Sequence, residues 1–261
     1  MKKIKAVVFD WAGTMIDFGS FAPVSSFIEA FKTWDIKVSV EQARGPMGMG
    51  KRDHIKAIFE LPPVMEQFQK ANGRPSNEND IDRMFDVFVP LNEKVATRHA
   101  ALVPGAADAI AQLRKKGIKI GSTTGYTRSI MANVVPLAEQ QGYKPDAMVC
   151  VDDVENGRPA PDAMHKCLEE LGVSDFRAVL KVDDTTPGIG EGLSIGCTTI
   201  GISLSGNEVG KTPAELAEMP EGEVAELRLA AERMLLDAGA HYVIDTVAKL
   251  PALVEQIEGQ S

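Results

Sequence analysis

No apolar run in the chain approaches the ~18 residues a membrane-crossing helix needs, so a spanning segment is not expected. Cysteine is scarce: Cys150, Cys167 and Cys197 are odd in number, scattered and without metal-ligand spacing. They argue for a reducing compartment and against a disulfide framework. Positive charge is in deficit, with 28 Lys and Arg against 37 Asp and Glu and a net charge of −9. That balance argues against nucleic-acid binding and against a polybasic membrane surface. An anionic substrate must then meet cations concentrated locally. The opening Met1-Lys2-Lys3-Ile4-Lys5 leads into a strand pattern rather than a secretory apolar region, which makes a cytoplasmic protein the expectation. No internal repeat or low-complexity stretch is present.

Apolar, β-branched runs predict strands at 4–9, 118–122, 147–151, 178–182, 198–202 and 242–244. Helical patterns fall between the later ones, at 105–116, 128–140, 161–171 and 188–195. Strand alternating with helix predicts an α/β fold, a Rossmann-like, doubly wound parallel sheet covered on both faces. Residues 18–98 break the alternation with helical periodicity, as in Phe21-x-x-Val24-x-x-Phe27-Ile28-x-x-Phe31. They are expected to form a helical cap inserted into a core built from residues 1–17 and 99–261. Phe21, Phe27, Phe31 and Trp34 are expected in the cap core or at a dimer contact. The acidic stretch 205–237 reads as helical, with Leu216, Leu227, Leu235 and Leu236 facing inward.

The chemistry sits at strand ends. Val7-Val8-Phe9 delivers Asp10, and Trp11-Ala12-Gly13-Thr14 turns the chain away at once. Such a turn puts a carboxylate outside the carboxyl end of a sheet, where open α/β folds hold ligands. Asp10 alone proves little, because an aspartate after a strand is often a helix cap. Ile118-Lys119-Ile120-Gly121-Ser122-Thr123-Thr124-Gly125 ends in hydroxyls and a glycine. Gly157-Arg158-Pro159-Ala160-Pro161 offers a cation just before a helix, since proline suits a first turn. Lys181-Val182-Asp183-Asp184-Thr185 closes a strand with adjacent carboxylates. These repel unless a cation lies between them and Asp10, and Mg²⁺, a hard ion that keeps part of its water, is the natural choice.

In this order the four strand ends resemble the four motifs of the haloacid dehalogenase superfamily of phosphotransferases. The resemblance implies that Asp10 is a nucleophile and that Thr124 binds a phosphoryl oxygen, with backbone donors from Gly125 and Tyr126. Arg158, in place of the usual lysine, would order nucleophile and phosphoryl group together. Asp10, the Ala12 main-chain carbonyl and Asp184 would hold Mg²⁺, with Asp183 behind them or as an alternate ligand. Gly188 stands where members often carry a further aspartate, so more of the ion's shell would be water. One departure decides the chemistry. Ala12 stands where most phosphatases of the superfamily carry a second aspartate, which protonates the leaving oxygen. Without it the chain is either inactive or expels something other than an alkoxide.

A phosphorus–carbon bond would expel a carbanion, which needs an electron sink rather than a proton donor. An iminium formed from a lysine and a carbonyl substrate is such a sink. Gly45-Pro46-Met47-Gly48-Met49-Gly50-Lys51-Arg52-Asp53-His54 supplies the lysine, at the start of a helix behind a tight turn. The helix dipole and Arg52 disfavour the Lys51 ammonium, while Asp53 opposes them. His54 shares the helical face and is expected to shuttle protons. By itself such a lysine is an ordinary surface residue; beside Ala12 it has a purpose. D-W-A-G-T, P-M-G-x-x-K-x-D-H and G-S-T-T-G-Y-T-R together resemble the phosphonate-cleaving branch of the superfamily along essentially the whole chain. That branch implies a small-molecule phosphonate substrate, Mg²⁺, a homodimer and a Schiff base on Lys51. It further implies that Met47 shields the lysine. Lys51 and Asp10 can meet only when the cap closes, so hinges are expected near 17–19 and 99–104. Ser20 lies where the family can carry cysteine, and nothing essential is expected of it.

Three other readings compete. A carbon–halogen hydrolase of the superfamily also lacks the second aspartate, but it works without metal, and Asp183, Asp184 and Lys51 count against it. Ala12 disfavours an ordinary ester phosphatase. A catalytically inactive member would bind ligand and turn nothing over.

Overall fold

The computed structural model describes residues 3–259. Six strands form one parallel sheet: β1 (Ala6–Phe9), β2 (Lys119–Thr124), β3 (Ala147–Cys150), β4 (Val179–Asp183), β5 (Thr198–Ile202) and β6 (Tyr242–Ile244), in the order β3-β2-β1-β4-β5-β6. The central strands are continuous apolar runs because both faces are covered. Successive side chains of β1 enter different cores. Val7 and Phe9 pack under α6 (Ala106–Lys115), α7 (Arg128–Gln140) and α12 (Leu250–Gly259), and Ala6 and Val8 pack against α8 (Asp162–Leu171). The chain leaves β1 for β2 on one side and returns to β4 on the other. That reversal opens a crevice beyond the carboxyl ends of β1 and β4. Phe9 is in register with both Ser122 and Val182, so Asp10, Thr123 and Asp183 emerge at one level.

Five of the helices between β1 and β2 precede α6 and lie together: α1 (Phe21–Lys32), α2 (Val40–Arg44), α3 (Lys51–Phe59), α4 (Pro62–Asn72) and α5 (Glu78–Ala96). They bury a hydrophobic cluster of their own, in which Phe27 stacks on Phe88 at 4.4 Å and Phe31 meets Phe59 at 4.8 Å. Phe27 and Phe31 are therefore core residues of the helical segment, with Trp34 packed at its edge. Phe21 instead faces the crossing back to the sheet, under the Arg44 guanidinium and beside His99. At the outgoing crossing Asp17 accepts from the Ala22 amide at 2.8 Å and pairs with His99 of the return crossing at 3.1 Å.

The loop between α2 and α3 reaches down onto the sheet's carboxyl end. Gly48 has φ +92° there, and a Cβ on it would collide with the Thr185 hydroxyl. Only glycine meets both demands. The remaining helices are α9 (Thr186–Ser194), α10 (Pro213–Glu218) and α11 (Glu221–Asp237). The expectation of helix throughout 205–237 fails over its first part, where a loop wraps back against Gly13 and Asp184 before Thr212 caps α10. Leu235 is buried against Ile189, but Leu236 is exposed, a correction to its inward assignment. Consecutive helical positions point about 100° apart, so both could not face one neighbour.

Candidate active site

Asp10 leaves β1 with its amide donating to the Val182 carbonyl at 3.0 Å and its carboxylate turned into the crevice. The cavity there is small, about 20 Å³. Of the residues singled out in the sequence, Asp10, Ala12, Met47, Lys51, Thr124, Gly125, Tyr126 and Arg158 line it, as does Ser20. Its floor is the sheet and its roof is the α2–α3 loop. At Gly125 the two press together, since a Cβ would lie 2.6 Å from the Met49 carbonyl oxygen. Thr124 caps the turn after β2, its hydroxyl accepting from the Tyr126 amide at 3.1 Å.

Lys51 opens α3 and is 4% exposed, its ammonium 5.1 Å from the Tyr126 ring centre and 5.7 Å from that of Phe27. Burial pulls its pKa down to about 8, Arg158 adds to the shift, and Asp10 and Asp184 oppose it. Arg52 plays no such part, contrary to the sequence expectation. Its guanidinium turns outward to Glu78 at 2.8 Å and Asp82 at 2.7 Å.

His54 also departs from expectation. One helical turn does bring it near Lys51, but it does not line the cavity. Its ring is fully buried 3.9 Å from Phe27, with Nε2 2.9 Å from the Ala43 carbonyl oxygen. A carbonyl only accepts, so Nε2 carries the proton and Nδ1 is left without a partner among the described residues. Burial and the nearby Lys51 hold its pKa well below 6.5. The imidazole is neutral, locked behind the lysine rather than facing the cavity.

Arg158 is gripped on every edge. Nη1 donates to Asp10 Oδ1 at 2.8 Å and pairs with Asp183 at 3.3 Å; Nη2 donates to the Thr123 carbonyl at 2.7 Å and hydroxyl at 2.9 Å; Nε pairs with Glu191 at 3.1 Å. Burial works against this charge, yet Glu191, Asp183 and Asp10 outweigh it and raise the pKa. Behind Arg158 lies a second cation that the sequence reading missed. Lys181, in the middle of β4, is fully buried and reaches Thr123 Oγ1 at 2.8 Å, Glu191 at 2.9 Å and Asp183 at 3.1 Å. The available signal was a lysine within an apolar strand, which must find a counter-ion indoors.

Asp10, Asp183 and Asp184 each offer a carboxylate oxygen, and these atoms lie within 4.8 Å of one another. Burial and the repulsion of Asp183 raise the Asp10 pKa to about 6, although Arg158 and Lys181 pull it down. Asp183 is driven the other way: burial opposes ionisation, but Arg158, Lys181 and the Thr185 hydroxyl at 2.7 Å keep it low. Among the described residues Asp184 has only neutral donors, Thr14 Oγ1 at 3.0 Å and the Asn207 amide at 2.8 Å. Burial, Asp10 and Asp183 raise its pKa well above the usual range. Three buried carboxylates, Asp10, Asp183 and Glu191, thus pair with Arg158 or Lys181, and Asp184 adds a fourth acidic group beside Asp10 and Asp183. A hard divalent cation fits this donor set.

Gly188 has a steric reason beyond its place in a motif. A Cβ there would overlap the Asp183 carboxylate, so the further aspartate common in the superfamily has no room. Gly188→Asp is expected to cost at least about 3 kcal/mol of stability, from overpacking plus one more buried charge. Denaturant unfolding with an unchanged midpoint would refute this.

Fold and site together define the haloacid dehalogenase-like hydrolases, and the model of that family matches residues 4–196. Phosphonoacetaldehyde hydrolase of Paraburkholderia phytofirmans is 46% identical over 260 residues, covering 100% of this chain and 97% of the relative. That of Vibrio cholerae is 48% identical over 257 residues, covering 98% and 95%. The crystal structure of a phosphonoacetaldehyde hydrolase-like protein from Oleispira antarctica superposes with a TM-score of 0.97 at 41% identity, covering 98% of this chain and 93% of that one. The chain belongs to the phosphonoacetaldehyde hydrolase family of haloacid dehalogenase-like hydrolases, and it is an enzyme.

Proposed function

We propose that this enzyme hydrolyses phosphonoacetaldehyde to acetaldehyde and phosphate, through a Schiff base on Lys51 and an aspartyl phosphate on Asp10. The observation that carries the reading is the buried Lys51 amine in the same small cavity as Asp10, with Ala12 where an ester phosphatase needs its acid. The residues Asp10, Asp184 and the Ala12 carbonyl would hold Mg²⁺, with Asp183 behind, consistent with the acidic group that Asp184 adds beside Asp10 and Asp183. We take residues 18–98 to act as the cap and the working unit to be a homodimer in the cytoplasm, as the family resemblance implies.

The neutral Lys51 amine attacks the aldehyde carbon, and loss of water leaves an iminium. Asp10 then attacks phosphorus in line with the carbon, and the P–C bond electrons pass through the carbon chain to the iminium nitrogen as an enamine. Bound Mg²⁺ would neutralise phosphoryl oxygens and carboxylates as charge moves between them. Arg158, fixed by Glu191 and Thr123, holds the Asp10 carboxylate oriented and supplies positive charge on the phosphoryl side. Thr124 Oγ1 and the amides of Gly125 and Tyr126 offer neutral donors there. The enamine takes a proton at carbon, water releases acetaldehyde from Lys51, and a second water frees phosphate from Asp10. Met47 and the Tyr126 and Phe27 rings keep bulk water from the imine. His54 acts from behind, keeping Lys51 company as a neutral group instead of a competing cation.

A pKa of about 8 gives Lys51 roughly 300-fold more neutral amine at pH 7 than an ordinary lysine. Protonation silences the amine, so the lysine-dependent limb of kcat/KM is expected to rise about tenfold from pH 7 toward pH 9 and then level. A rate flat across that interval would exclude Lys51 as the attacking amine. Substrate class is tested by measuring acetaldehyde and phosphate together. Phosphonoacetaldehyde is expected to exceed p-nitrophenyl phosphate by about three orders of magnitude in kcat/KM. Comparable ester turnover would return the chain to the phosphatases.

A further inference from the structure

The helical segment meets the sheet through a second contact, away from Lys51. Arg44 ends α2, and its Nη1 donates to the Gly19 carbonyl at 2.9 Å, the Asn207 carbonyl at 3.0 Å and Asn207 Oδ1 at 3.1 Å. Asn207 returns a bond from Nδ2 to the Arg44 carbonyl at 3.3 Å. The main-chain amide of the same asparagine points the other way, donating to Asp184 Oδ2 at 2.8 Å. Neighbouring bonds fix the loop in this attitude: Ser205 Oγ donates to the Gly13 carbonyl at 2.8 Å, and the Gly19 amide donates to the Ser205 carbonyl at 2.8 Å. Asn207 is 1% exposed, so it has no water to exchange these partners for. One residue therefore has the cap on one side and a carboxylate of the ion site on the other. Arg44 is also the last residue before the loop that carries Met47 and presents Lys51.

We propose that the Arg44–Asn207 contact is a latch that couples seating of the cap to divalent-ion binding at Asp184. Both are positioning residues, and the inference rests on reading Asp10, Asp183 and Asp184 as the ion site. With the cap seated, Arg44 holds Asn207, and Asn207 holds Asp184 in its binding orientation. Linkage makes the effect reciprocal: the ion favours the seated cap as much as the seated cap favours the ion. Charge alone works in the opposite direction. Arg44 is a cation in the field of Asp184, and deleting it would by Coulomb's law strengthen cation binding. The sign of the change separates a latch from a field.

The test is calorimetric titration of the whole protein with Mg²⁺ in the absence of substrate, beside trypsin cleavage after the exposed Arg98 in the return crossing. In the unaltered protein, Mg²⁺ is expected to slow that cleavage. Arg44→Met is expected to weaken Mg²⁺ binding about tenfold, within the usual range of coupling between sites. Mg²⁺ should then no longer protect Arg98, and KM should rise by a similar factor while kcat stays within about twofold, since substrate must first reseat the cap. Arg44→Lys should recover part of the effect, because one ammonium reaches one of the three oxygens. Asn207→Ala keeps the amide on Asp184 and removes the side-chain bonds to Arg44, giving a smaller shift of the same sign; it carries the test if Arg44→Met does not fold. A folded Arg44→Met protein that binds Mg²⁺ as tightly as the unaltered one, or more tightly, overturns the latch alone. An unaltered protein that binds no Mg²⁺ overturns the ion-site reading and the latch with it.

Discussion

Lys51→Met is expected to abolish turnover and yet make the protein more stable. Without the amine there is no iminium, and the P–C bond has nowhere to send its electrons. A loss of at least about 10⁴ in kcat follows if the electron sink is the essential device. The stability effect comes from the same burial that activates the amine. A pKa of about 8 against 10.5 for an ordinary lysine means that folding below pH 8 must strip solvent from an ammonium that prefers water. The shift corresponds to about 3 kcal/mol. The variant has no such charge to desolvate, so it should gain about 3 kcal/mol at pH 7. The sign across pH follows directly. Between pH 8 and 10.5 the unfolded chain holds the proton and the folded one does not, so the unaltered protein becomes more stable with rising pH. The variant's advantage is full below pH 8 and fades toward pH 10.5. Denaturant unfolding at pH 7 and pH 10 reads this directly, and a variant less stable than the parent at pH 7 would contradict it.

Asp10→Asn is expected to remove phosphate release by at least about 10⁴-fold while leaving imine formation on Lys51 intact. The two steps use different groups, the amine on carbon and the carboxylate on phosphorus. The substitution also removes a charge that favours the Lys51 ammonium, so imine formation should reach its plateau at lower pH than in the parent. Arg158 loses one partner but keeps Asp183, Glu191 and Thr123, which holds the site's framework in place. Single-turnover assays of phosphate release, set beside the rate of imine formation, separate the two. Residual phosphate release above about one per cent of the parent would mean that another nucleophile reaches phosphorus. Failure to form the imine would mean that the carboxylate also serves the amine.

Asp10, Thr124, Arg158, Asp183 and Asp184 were legible because a parallel sheet forces their convergence. Each closes or follows a strand, and the reversal of strand order at β1 brings those ends to one crevice. Lys51 was legible through a different clue, the mismatch between Ala12 and the chemistry of an ester. What the sequence did not show are the partners that cross elements without any fixed spacing. Lys181 meets Glu191 because β4 lies under α9, and Arg44 meets Asn207 because a loop 163 residues later folds back beneath the helical segment. His54 marks the limit of helical periodicity: three residues set its angle about the helix, but the Ala43 carbonyl set its ring. Arg52 was misjudged for the same reason, since neighbourhood in sequence to Lys51 did not survive the pull of Glu78 and Asp82.

The proposed mechanism requires a covalent bond between substrate and one nitrogen. Borohydride added during turnover of phosphonoacetaldehyde reduces an imine to a stable amine, which peptide mass spectrometry locates. The predicted result is an inactivated enzyme with a single two-carbon adduct, or its phosphonate-bearing precursor, on Lys51. Inactivation with no adduct, or an adduct on any other lysine, would contradict the mechanism.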